Sequence, residues 1–205
     1  MLQIHTLPLG AYQTNTYIVY EEGSNSCAII DPGYEAKVIL NKVSQLGLTV
    51  DAILLTHGHF DHVGAVEKIL SVTGCELWMH KADFTRPGDA INRYLYPLSG
   101  SKTADILFYS EGDKVIAGNL SFTVLSTPGH TPGSVCYMFD GMLFTGDTLF
   151  KRSIGRTDLG GDEAQMMRSL RALRNLPGDY DVYPGHDAPT TLEDERECNP
   201  YLKRI

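Results

Sequence analysis

Seven side chains in four short segments have the types and spacing of metal donors. His57, His59, Asp61 and His62 lie in Thr56-His57-Gly58-His59-Phe60-Asp61-His62, His130 ends Thr127-Pro128-Gly129-His130, Asp147 follows Gly146, and His186 ends Pro184-Gly185-His186. Seven donors are too many for one tetrahedral ion, which takes about four; they suit two ions with a solvent molecule between them. Alternate residues of an extended chain share a side, so His57 and His59 can face one ion. Asp61 and His62 fall where the chain turns into a helix and can reach a second. Asp147, with two carboxylate oxygens, is the natural bridge. Such a pair of cations lowers the pKa of a shared water from about 15.7 towards about 7, which supplies hydroxide without a side-chain base. Such an arrangement is suited to hydrolysis.

Strands must hold these donors in place. Alternation and β-branching predict strands at 2–9, 15–21, 26–30, 51–55, 75–79, 114–117, 121–125, 134–139, 142–145 and 181–183. Asp140-Gly141 is a two-residue hairpin signal. Helices are predicted over 34–46, where Ile39, Val43 and Leu46 repeat before Gly47, over 63–72, over 162–176 with Asp162 as N-cap, and over 193–203. Residues 81–111 read as the least regular stretch, with a short helix at 90–95. The donors sit just past the strands that end at 55, 125, 145 and 183, where loops on a rigid sheet carry functional groups. Strands in both halves, interleaved with helices, predict one α/β domain over 1–205, with two sheets covered by helices on their outer faces.

Composition removes several function classes. Lys and Arg number 17 against 25 Asp and Glu, a net charge of −8 with no basic block, so nucleic acid and anionic membranes are not expected partners. The longest apolar run is 135–139, far short of a transmembrane helix. The first ten residues, MLQIHTLPLG, have neither a basic n-region nor an apolar h-region, and the expected location is the cytoplasm. Cys27, Cys75, Cys136 and Cys198 form no Cys-x-x-Cys pair and read as reduced, mostly core residues.

Other polar residues have two readings. His5 and His80 stand outside any motif and read as structural. Asp31, before Pro32-Gly33, is either an Asx-turn residue or an acceptor that orients a ligand histidine. Arg168, Arg171 and Arg174 read as a solvated helix face. Lys151, Arg152 and Arg156 follow Asp147 in a glycine-containing loop and are candidate contacts for an anionic substrate. Tyr94 and Tyr96 are candidates for the pocket wall.

The histidine segment is similar to the H-x-H-x-D-H signature of the metallo-β-lactamase superfamily. Asn15-Thr16-Tyr17, Ile30-Asp31-Pro32-Gly33, the run from Thr127 to Ser134, the run from Thr145 to Phe150 and Tyr183-Pro184-Gly185-His186 follow in that family's order. Within it, Gly146-Asp147-Thr148-Leu149-Phe150 continuing to Ser153-Ile154-Gly155-Arg156 most resembles glyoxalase II, the hydroxyacylglutathione hydrolases. The resemblance implies a four-layer αββα sandwich. It implies one metal held by His57, His59, His130 and Asp147, and a second held by Asp61, His62, His186 and Asp147. Two divalent ions per chain are implied, zinc first, with iron or manganese also suited to such donors.

The resemblance further implies a small-molecule thioester substrate such as S-lactoylglutathione. Asp61 and Asp147 are then the catalytic carboxylates, Asp61 orienting the attacking hydroxide. Full-length glyoxalase II carries an additional helical C-terminal domain that meets the glutathione moiety. Only 19 residues follow His186, so that domain and its thiol specificity are expected to be missing. A mononuclear-iron persulfide dioxygenase, a lactonase or other acyl hydrolase, and a non-catalytic redox module are the competing readings. The sequence does not indicate an oligomeric state.

Overall fold

Strands that run parallel under crossover helices are apolar on both faces, and that property sets the number of layers here. The computed structural model describes residues 1–84 and 106–205. The first sheet takes β1 (Leu2–Leu9), β2 (Thr14–Glu21), β3 (Ser26–Ile30), β4 (Thr49–Leu54), β5 (Glu76–His80) and β6 (Ile106–Tyr109), hydrogen-bonded in that order. β1–β2 and β2–β3 pair antiparallel; β3–β4, β4–β5 and β5–β6 pair parallel. α1 (Ala36–Gln45) connects β3 to β4, and α2 (Phe60–Val63) with α3 (Val66–Thr73) connects β4 to β5.

The second sheet is built from β7 (Lys114–Ala117), β8 (Leu120–Ser126), β9 (Val135–Phe139) and β10 (Met142–Gly146), followed by a small hairpin of β11 (Leu149–Phe150) and β12 (Ser153–Ile154). α4 (Glu163–Arg174), β13 (Asp181–Pro184), β14 (Thr190–Thr191) and α5 (Leu192–Cys198) complete it. The strand order is β14-β13-β10-β9-β8-β7, with β10–β13 as its parallel pair. Asp140 and Gly141 take positive φ (44° and 79°), which lets β9 turn directly into β10.

The period of two along β4 shows the layering. Ile53 and Leu55 join Ile39, Val43, Val66 and Ile69 beneath the helices, while Ala52 and Leu54 join Val124, Tyr137 and Phe144 between the sheets. On the far side, Met166, Leu170 and Leu173 of α4 and Leu192 of α5 cover Cys136, Leu143 and Val182. Helix, sheet, sheet and helix make the four-layer αββα sandwich. Cys27, Cys75 and Cys136 are buried and Cys198 exposed, and no disulfide joins them. No helix among the described residues is long and apolar enough to cross a membrane.

The local differences from expectation have tertiary causes. The helix predicted at 63–72 is split, with α2 ending at Val63 and α3 starting at Val66. Gly64 lies against the loop after β3: a Cβ there would stand 2.4 Å from the carbonyl oxygen of Gly33, and the Ala65 amide donates to Pro32 O at 3.0 Å. The helix predicted at 193–203 stops at Cys198, because Pro200 holds Asn199 extended (φ −72°, ψ 121°); a 3₁₀ turn, Leu202–Arg204, follows. Part of the stretch read as irregular is β6, and the two-residue strands β11, β12 and β14 are too short to leave a pattern. The short helix read at 90–95, with Tyr94 and Tyr96, lies outside the described residues.

Candidate metal centre

The four donor segments leave the sandwich at one edge. β4 ends at Leu54 and runs through Thr56 into His57–His62; β8 leads to His130, β10 to Asp147 and β13 to His186. Backbone bonds stitch these loops together: Val135 N–H donates to Thr56 O (2.9 Å), Gly185 N–H to Gly146 O (2.8 Å), and Asn15 N–H to Gly185 O (2.8 Å). The Asn15 carboxamide adds bonds to Pro184 O (3.0 Å) and Asp187 O (2.9 Å), and the Tyr17 hydroxyl donates to Pro184 O. The His186 loop is therefore held from both sheets.

Among the described residues three groups of donors come together; two are separate donor sets, and the third, Asp31 with His57 and His62, shares one histidine with each of them. Ring nitrogens of His57, His59 and His130 lie within 4.8 Å of one another, as do the donor atoms of Asp61, His62 and His186. Asp147 stands between the sets: Oδ2 is 3.4 Å from His130 Nε2 and 3.5 Å from His186 Nε2, and Oδ1 is 3.3 Å from His62 Nε2. Asp61 Oδ2 lies 3.3 Å from His186 Nε2 and accepts from the Thr14 hydroxyl at 3.3 Å.

Outward-facing nitrogens are occupied, as they must be if the inner ones are to serve as ligands. His57 Nδ1 meets Thr56 Oγ1 at 3.0 Å, His62 Nδ1 meets Asp31 Oδ2 at 2.9 Å, His130 Nδ1 donates to Arg156 O at 2.6 Å, and His186 Nδ1 donates to Tyr12 O at 3.1 Å. Of its two sequence readings Asp31 takes the second: the Gly33 amide, which an Asx turn would use, donates instead to Thr16 Oγ1 at 3.4 Å, and the Asp31 carboxylate faces Thr56 and His62. It accepts from the Thr56 amide (2.8 Å) and hydroxyl (2.6 Å), and it fixes the tautomer of His62.

The inner face fits a cation. His57 Nε2, His59 Nε2 and Asp147 Oδ1 are buried without a hydrogen-bond partner, an arrangement that is costly for polar atoms unless something positive meets them. His130 Nδ1 gives its proton to Arg156 O, so His59 Nδ1 donates to His130 Nε2 at 2.8 Å, which leaves His59 Nε2 a bare acceptor. Electrostatics separate the sets. Burial, helped by neighbouring histidines, pushes His57 well below its ordinary value and His59 down to about 4, so both rings are neutral and have the form a metal ligand needs. Burial also works against a charged His62, but Asp147 and Asp31 outweigh it and raise its pKa well above 6.5. At His186 the same contest, with Asp147 and Asp61 on the raising side, ends at about 9. Burial would raise Asp147 and Asp61, yet His62 and His186 hold both below the usual carboxylate value.

A cleft of about 700 Å³ opens over the donors, walled by Tyr12, Phe60, Phe150, Ile154, Leu159 and Arg156. Tyr12 and Phe60 meet edge to face at 5.4 Å on its rim. Of the three basic residues proposed for substrate contact, Arg156 alone lines the cleft, paired with Asp158 by two bonds of 2.6 Å. Lys151 is exposed outside its lining. Arg152 is a correction: its guanidinium turns away to buried Glu195 (3.0 Å) and Asp194 O (2.8 Å), where it ties the β11–β12 hairpin to α5. His5 stacks on Tyr20 and His80 accepts from the Ala82 amide, both structural.

Sequence reasoning missed the apolar walls and one buried acid, Asp83, which bonds to Gly58, Thr131 and Gly133. A signal was available, since Asp83 also lies just past a strand end, that of β5.

Residues 9–186 match a family model described as the Metallo-beta-lactamase superfamily. The chain is 34% identical over 209 residues to the hydroxyacylglutathione hydrolase GloC of Haemophilus influenzae, across 98% of each protein. Its fold is similar to that of BLEG-1, a B3 metallo-beta-lactamase (TM-score 0.85, 36% identity, 98% of this chain and 99% of that one). It is also similar to TTHA1623 in a di-iron-bound form (TM-score 0.82, 34% identity, 97% and 100%).

Proposed function

The chain belongs to the metallo-beta-lactamase superfamily and is a metal-dependent hydrolase; from that premise we propose that it cleaves thioesters, S-lactoylglutathione among them, at a site for two divalent cations. The observation that carries this reading is Asp147, whose oxygens lie 3.3 to 3.5 Å from His62, His130 and His186, between the two donor sets. His57, His59 and His130 with Asp147 would hold one cation; Asp61, His62 and His186 with Asp147 would hold the other. When bound, such cations bring the pKa of a water towards neutrality and polarise the carbonyl it attacks. The name of the GloC relative supports a thioester substrate. Zinc and iron both suit these donors, and the di-iron form of TTHA1623 supports iron.

The remaining roles fall to the chain itself. Asp61, ionised and steadied by Thr14, accepts a hydrogen bond from the attacking water and fixes its direction. Tyr12 and Phe60, together with Phe150, Ile154 and Leu159, wall the reacting centre from bulk water. Arg156 is the cation on the described wall that would meet an anionic thiol carrier. The departing thiol, with a pKa near about 8.5, leaves as a thiolate and needs no side-chain acid.

The test is elemental analysis and steady-state kinetics of metal-loaded protein with S-D-lactoylglutathione, lactoyl thioesters of coenzyme A and of small thiols, and a β-lactam alongside. Two ions per chain and turnover that falls on chelation are expected. With a mostly apolar wall, kcat/KM should differ between thiols by no more than roughly tenfold. Metal-loaded protein that cleaves no thioester would end the proposal. One iron per chain with oxygen consumed on a persulfide would replace it with a dioxygenase.

A further inference from the structure

One carboxylate outside the donor sets fastens both loops that carry His57, His59 and His130. Asp83 is 1% exposed and lies three residues past the end of β5. Its Oδ2 accepts from the Gly58 amide, between His57 and His59, at 2.9 Å, and from the Thr131 hydroxyl, beside His130, at 2.6 Å. Its Oδ1 accepts from the Gly133 amide at 2.7 Å. The approach is close: a Cβ on Gly133 would come within 2.6 Å of Oδ1.

A buried carboxylate is costly unless its lone pairs are met, and here three donors meet them. Two of those donors are backbone amides, so Asp83 acts on where the chain runs rather than on any ring. Asp31 offers the contrast, because it touches His62 directly. Nothing but Asp83 joins the Gly58 amide to the Thr131–Gly133 turn through a single side chain among the described hydrogen bonds.

We propose that Asp83 is a positioning residue of the three-histidine set: it fixes the spacing of two loops and thereby sets how tightly His57, His59 and His130 hold their cation. The proposal rests on the metal-dependent reading of the site and is indifferent to which ester is cleaved. An amide of the same size cannot substitute. If its oxygen keeps Gly58 and Thr131, its NH₂ must face the Gly133 N–H, donor against donor, in a buried place.

The test loads the full chain and Asp83→Asn with zinc and follows retained metal against a chelator, with thermal melting as a control for folding. One zinc equivalent should leave Asp83→Asn at roughly 10–100-fold lower chelator activity than in the parent, the usual cost of losing an outer partner. The other equivalent should leave as in the parent. Placed in His186→Ala, which keeps the three-histidine set intact, Asp83→Asn should weaken the remaining zinc by the same factor; placed in His57→Ala it should not. Equal loss of both equivalents, or none, overturns the proposal. Should Asp83→Asn not fold, Thr131→Val removes the 2.6 Å bond to Asp83 together with the 2.8 Å bond to Ser134 Oγ, and Ser134→Ala removes the latter while leaving the former. Thr131→Val should give a smaller shift in the same equivalent and Ser134→Ala none; no shift in Thr131→Val, or an equal shift in both, overturns the proposal. A parent that binds two zinc ions yet cleaves no thioester ends the proposed substrate class and leaves this inference standing, whereas a parent that retains fewer than two ends both.

Discussion

His57, His59 and His130 are at most 5% exposed, and burial keeps the first two neutral. They stand on two loops tied through backbone amides to Asp83. Across Asp147, the other set mixes a carboxylate with two histidines of raised pKa, and the His186 side chain is 21% exposed to the cleft. The first set would hold a cation through position, the second through charge. Neighbouring carboxylates rather than exposure explain the difference: His62 is as buried as His57, yet Asp147 and Asp31 favour its charged form, whereas His57 and His59 lie among other histidines and stay neutral.

Asp147 is the point at which the comparison can be broken most completely. Asp147→Ala removes a ligand from both sets; we expect loss of metal from both, activity lower by several orders of magnitude and a retained fold. Elemental analysis that finds two ions per mutant chain would show that the sets do not share it.

Removing one histidine from each set sharpens the contrast. His186→Ala should cost about one equivalent and leave His57, His59, His130 and Asp147 for a four-coordinate ion. His57→Ala should cost the other. Activity should fall by roughly 100-fold or more in each, since two-metal chemistry needs both. Loss of both equivalents in either variant would mean that the sets are one cooperative unit.

Acid separates the sets without mutation. A ligand must shed its proton to bind, so a raised pKa lets protons compete harder. His186, held up to about 9, and His62, also raised, should surrender their ion first as pH falls from 7; His57 and His59, lowered to about 4 in the latter case, should keep theirs to lower pH. Metal content after equilibration across pH 4–8 should fall in two steps, and a single step would erase the distinction. Smaller still is Asp31→Asn, expected to weaken the ion of the second set by about 10–100-fold and that of the first, reached through Thr56 and His57, by less, read by chelator titration.

The donors were legible because their residue types and spacing are restrictive: no ordinary core needs His57, His59, Asp61 and His62 in six residues. The sandwich was legible because its strands alternate and its turns carry Asp140-Gly141 and Asp31-Pro32-Gly33. What escaped was set by distant contacts. Asp83 meets partners 25 to 50 residues away, as one isolated acid in a stretch without pattern. Gly64 breaks a helix because the Gly33 carbonyl occupies its space. Arg152 looked like a substrate contact from its place after Asp147, and its true partner, Glu195, is 43 positions on.

The bonds from Asn15 and Tyr17 to the Pro184–Asp187 loop span roughly 170 positions of chain, and they give the site a history as well as a shape. Contacts this distant in sequence come late, because a large loop must close before they yield anything. Each set draws donors from both halves of the chain, His130 and Asp147 joining His57 and His59 as His186 and Asp147 join Asp61 and His62, so neither set is complete until the two halves have met.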